Sequence, residues 1–180
     1  MIPCGRRCLS LLVGVAGSGV LLLGPGTAPT GGPSAVPTSS TVAGPAVQLV
    51  AQATPSTSQQ RSAVIAATNA ERRRAGCGAL TASAQLTSAA QGHATDMARN
   101  NYFSHTSRDG RDFGDRLRAT GLSFRTGGEN IARGQRTATE VVRAWMNSSG
   151  HRRNILNCAF TKIGVGHDNR GNLWVQNFTT

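Results

Sequence analysis

No charged residue lies between Arg7 and Arg61. A stretch that long without charge cannot present the surface of an ordinary globular domain, so it splits the chain in two. At its start, Arg6 and Arg7 precede "LSLLVGVAGSGVLLL" (9–23), and small residues follow in "GPGTAPT". A positive head, a short apolar core and a small-residue exit describe a secretory signal peptide, assigned to residues 1–27. The apolar run of 15 residues is shorter than the ~20 that a spanning helix needs. Residues 28–60 are built, apart from Leu49, from Ala, Pro, Thr, Ser, Gly, Gln and Val. They carry too little apolar bulk to repay the entropy of folding, and are expected to be a disordered linker. Residues 61–180 remain as one domain, long enough for a core of its own.

An exported chain changes the reading of its cysteines. Cys4 and Cys8 leave with the signal, and Cys77 and Cys158 remain. A lone pair in an oxidising compartment is expected to form a disulfide. It would close a loop of about 80 residues, worth up to roughly 4–5 kcal/mol in the chain-entropy picture.

Without Arg6 and Arg7 the formal net charge falls from +11 to +9. Basic residues are spread along the domain, with one cluster at Arg72, Arg73 and Arg74. Aromatic residues to stack on bases are scarce, which argues against specific nucleic-acid binding. The arginines are read as solvated faces with a loose attraction for anionic envelope polymers.

Periodicity places the elements. Val64, Ile65, Thr68 and Arg72 predict a helix over 59–75, stopped at Gly76. A second helix opens at Thr81 or Ser83 and buries Leu86, Ala90, His93 and Met97. Phe113 and Leu117 mark a short third helix. "RTGGENIARG" reads as a loop feeding a short strand. "TATEVVRAWMNSSG" is a helix with Thr137 and Glu140 as a capping box and Val141, Val142 and Trp145 as its buried stripe. The end alternates as two strands around "DNRGN", a hairpin. Helices first and a hairpin last predict an α+β fold.

Candidate chemistry is confined to four histidines and a few acids. His93 lies on an apolar helix face and is expected to be a satisfied, partly buried residue. His167 lies beside a turn and is expected to be solvated. Glu140 is accounted for by its cap. Glu129, between glycines and Asn130, has no such explanation and is either hydrogen-bonded to backbone or functional.

Four stretches, "HATDMARNNYFSHTSRDG", "GGENIARG", "VVRAWMNSSGHRRNIL" and "KIGVG…LWVQNF", together resemble the CAP superfamily. That superfamily comprises cysteine-rich secretory proteins, antigen 5 and the plant pathogenesis-related class, and the likeness is strongest to its compact secreted bacterial branch. The resemblance implies a three-layer α-β-α sandwich with a small antiparallel sheet and a central cleft. It implies that His105, Glu129 and His151 line that cleft, and that His105 and His151 can hold Zn²⁺ or another divalent metal. The second glutamate of the family's tetrad falls at Ser148, so the tetrad is incomplete. Two imidazoles leave a metal weakly held, which leans the reading away from an enzyme.

The expected function is a secreted, monomeric ligand-binding module acting on a lipid, a peptide or an envelope polymer. A metal-assisted hydrolase of a peptide or envelope polymer is the alternative.

Overall fold

The computed structural model describes residues 54–180. The signal-peptide reading and most of the linker reading therefore lie outside the described residues. The first helix, α1 (Thr57–Arg74), begins four residues ahead of the boundary placed at 61. The reason is local: Ser56 caps the Gln59 N–H while the Gln59 side chain accepts from the Ser56 N–H, a reciprocal box that starts the helix early. Gly76, at φ +78, ends it as expected.

Strand β1 (Thr81–Ala82) is followed by α2 (Ala84–Arg99), α3 (Phe113–Arg118), β2 (Gly127–Arg133), α4 (Ala138–Met146), α5 (Ser149–Ile155), β3 (Lys162–Asp168) and β4 (Leu173–Thr179). The four strands form one sheet in the order β1-β3-β4-β2. β3, β4 and β2 pair antiparallel, and β3–β4 is the expected hairpin. The sheet is nevertheless mixed, because the two-residue β1 joins β3 in parallel.

Strand alternation builds the three layers. Ile131, Leu173 and Val175 point to one face and pack with Ala90, Ala94 and Met97 of α2. Ile163, Val165, Trp174 and Phe178 point to the other, against Val64 of α1, Val141 and Trp145 of α4 and Ile155 of α5. α2 lies very close to the sheet. A Cβ on Gly164 or Gly166 would come within 2.2 Å of the α2 backbone at Leu86 or Ala90, so this approach needs glycine. Cys77 and Cys158 are joined by the expected disulfide, across a sequence separation of 81.

Three expectations about side chains are corrected here. Arg72 is not on a solvated face: it is 1 % exposed. Its guanidinium donates to the carbonyls of Gly78, Ile155, Asn157 and Phe160 at 2.8–2.9 Å, closing the open turns beside the disulfide. His167 is not solvated either. It is buried, stacked on Trp174 with ring centroids 3.7 Å apart, because strand β3 extends through it to Asp168. Thr137 caps the Glu140 N–H, but the Glu140 carboxylate reaches one residue further back, to the Arg136 N–H at 2.8 Å, so the box is only half made.

Candidate functional site

"GGENIAR" is strand throughout, not loop. Backbone pairing with β4 from Gly127 to Arg133 overrides the glycines, and its consequence is geometric. Consecutive residues of a strand point to opposite faces, so Glu129 and Asn130 diverge, and each ties down a different part of the site.

On the α2 side, one Glu129 carboxylate oxygen accepts from His105 Nδ1 at 2.8 Å and the other from Arg116 Nη2 at 2.8 Å. The side chains of Glu129 and Arg116 are 2 % and 5 % exposed, whereas His105 is 56 % exposed. Arg116 also donates to Ser107 Oγ and the Arg111 carbonyl. Ser107 lies 3.5 Å from His93 Nδ1, and His93 Nε2 donates to the Ser104 carbonyl at 2.9 Å. A hydrogen-bonded chain thus runs from the core of α2 to the exposed ring of His105. Because carboxylates only accept, His105 carries its proton on Nδ1 when neutral, and Nε2 presents a lone pair.

On the opposite face, Asn130 Nδ2 donates to the His151 carbonyl and to Gln176 Oε1. Asn154 Nδ2 donates to Asn130 Oδ1 and to the Glu129 carbonyl. Gln176 Nε2 donates to Thr68 Oγ1. α5 is thereby fastened to β2, and a Cβ on Gly128 would sit 2.9 Å from Asn154 Oδ1. His151 is half-buried in the first turn of α5. Burial, and to a lesser degree the charge of His105, hold its imidazole below the ordinary histidine range. Ser148 is the N-cap of α5, half-buried, and makes no side-chain cap bond.

His105 is thus tied to β2 through Glu129 and His151 through its carbonyl to Asn130, while Ser148 and His151 lie at the start of α5. His93 joins the chain behind them, while His167 lies at the far end of β3. Sequence reasoning missed Arg116, Asn130 and Asn154. For Arg116 the available signal was its place beside Leu117, three and four residues after Phe113, on the inward face of α3. Among the described residues no group of three or more His, Cys, Asp or Glu side chains is placed to hold a metal ion. The imidazoles of His105 and His151 would supply only two of the ligands such an ion needs, the rest coming from water.

The sequence profile of the cysteine-rich secretory protein family, CAP, matches residues 65–178. The chain belongs to this family. Among its relatives is the uncharacterized protein YkwD of Bacillus subtilis (strain 168), 47 % identical over 115 residues, covering 64 % of this chain and 45 % of that protein. Another is the uncharacterized membrane protein YlbC of the same organism, 42 % identical over 87 residues, covering 48 % of this chain and 25 % of that one. The chain thus spans less than half the length of these curated relatives. An extracellular protein with an SCP domain from Bacillus anthracis str. Ames superposes with TM-score 0.65 at 36 % identity, over 68 % of this chain and 42 % of that one. An outer surface protein of Borrelia burgdorferi gives TM-score 0.65 at 22 % identity, covering 70 % and 96 %, and shows the shared fold alone. Among the described residues no helix is long and apolar enough to cross a membrane.

Proposed function

We propose that this CAP domain is exported and works as a ligand-binding module through the cleft of His105, Glu129, Ser148 and His151, with a weakly held divalent metal as an accessory. The observation that carries the reading is the double engagement of Glu129. Its carboxylate is buried, ion-paired with Arg116 and hydrogen-bonded to His105. A carboxylate so occupied positions an imidazole and is a poor proton acceptor for an attacking water. Ser148 supplies no second carboxylate. A hydrolase that used a carboxylate as its base would need one of these groups free; a binding cleft needs only the oriented rings. The N-terminal stretch read as an export signal, the disulfide and the extracellular relative support action outside the cell. The positive charge favours an anionic envelope polymer over a lipid or a peptide as ligand.

The test has two arms. Zn²⁺ titration calorimetry should show weak binding that is lost in His105→Ala and in His151→Ala, retained in His167→Ala, and tightened in Ser148→Glu. Incubation with insoluble bacterial cell wall should pull the protein into the pellet without releasing soluble fragments. Fragment release that disappears in Glu129→Gln would establish the hydrolase instead.

A further inference from the structure

A second cavity lies on the other side of Arg116 from Glu129. It opens between α2 and α3 with a volume of about 310 Å³, and neither His105, Glu129 nor His151 lines it. Its inner wall is polar and buried: His93, Ser107 and Arg116 are 1 %, 5 % and 5 % exposed. Gly92, Asp96 and Arg111 stand at its more open side.

Gly92 is the informative residue. It lies in the interior of α2, where glycine is a poor helix former. Gly164 and Gly166 have a packing reason, since a Cβ there would strike α2. Gly92 has none: a Cβ would meet nothing within 4 Å, and its φ is not in the left-handed region. The fold gains nothing from this glycine. What its missing side chain leaves is room in the cavity.

The charges select the occupant. Asp96 accepts from Asn100 Nδ2 and from the Tyr102 hydroxyl and takes part in none of the ion pairs among the described residues. Arg111 and Arg116 bring positive charge to the same space, each partly offset by Asp109 or Glu129. A simple anion would face Asp96, and a simple cation would face the two guanidiniums. An apolar molecule would strip water from Ser107 and Asp96 without replacing its hydrogen bonds. A small molecule carrying both an ammonium and a carboxylate satisfies both ends. We infer that this cavity is a binding site for a small zwitterion of the free amino-acid class. The inference is independent of whether the cleft binds metal.

Titration of ¹⁵N-labelled protein with alanine, followed by NMR, tests it. Saturable shifts of the Gly92 and Ser107 amides are expected, and acetate or methylammonium alone should give none. Gly92→Leu should abolish the alanine response. Gly92→Ala should raise Tm by about 3 °C, as a helix interior freed of glycine should. Three results would each overturn the proposal. One is the absence of saturable shifts with alanine. Another is acetate or N-acetylglucosamine matching alanine, which makes the cavity a plain anion or polyol site. The third is a lower Tm in Gly92→Ala, which makes the glycine a requirement of the fold.

Discussion

The guanidinium of Arg116 and the carboxylate of Glu129 meet at 2.8 Å with 5 % and 2 % of their side chains exposed, and Glu129 in turn holds His105. Breaking such a pair from one side strands a buried charge. Arg116→Met should therefore cost about 3–5 kcal/mol in urea unfolding, as much as the loss of a large core side chain. Adding Glu129→Leu should recover a good part of that loss, because removing both charges removes the stranded one. Additive losses in the double variant would show that the two residues act separately.

Arg72 has no carboxylate partner among the described residues; its positive charge is met by four main-chain oxygens. Arg72→Lys keeps the charge but cannot span acceptors on Gly78, Ile155, Asn157 and Phe160 at once. The expected loss is about 2–4 kcal/mol from carbonyls left unpaired. Arg73→Lys, on the exposed neighbour, should change stability by less than about 0.5 kcal/mol. Equal effects of the two substitutions in chemical denaturation would refute the anchoring role.

His93, His151 and His167 all have pKa values lowered in the folded state, burial being the first cause in each. Among the described residues neither ring nitrogen of His167 has a hydrogen-bond partner. As pH falls below the ordinary value of about 6.5, the unfolded chain takes up protons that the folded one resists, so stability is present above that value and is lost below it. Urea midpoints should fall between pH 7.5 and 5. His167→Phe, which keeps a ring on Trp174, should flatten the dependence. An unchanged slope in that variant would assign the effect to other groups.

Cys77 and Cys158 connect the end of α1 to the turn before β3. Reduction should cost about 2–5 kcal/mol and lower Tm by several degrees or more. Calorimetry with and without reductant measures it. An unchanged Tm after confirmed reduction would mean that Arg72, bonded to the same turns, suffices to hold them.

Local chemistry was enough to locate α1 to α4, the β3–β4 hairpin and the disulfide, but not α5 as a helix of its own; Glu129 stands out by having no cap to explain it, and His105 and His151 stand out only through the family resemblance. Helical periodicity, turn residues and capping signals act over a few residues, so a linear reading finds them. The mixed edge of the sheet, the strand through "GGENIAR", the burial of His167 and the burial of Arg72 depended on partners far along the chain. β2 is a strand because β4 lies beside it, and Arg72 is buried because carbonyls more than 80 residues away converge on its guanidinium. The same holds for the roles within the site. The sequence by itself determined that no helix cap accounts for Glu129, leaving it either bonded to backbone or functional. Only the tertiary structure decided that Arg116 neutralises it and that Asn130, on the opposite face of the same strand, fixes His151. Both depend on which side chains a folded sheet and its helices bring within hydrogen-bonding distance, and spacing along the chain does not carry that information.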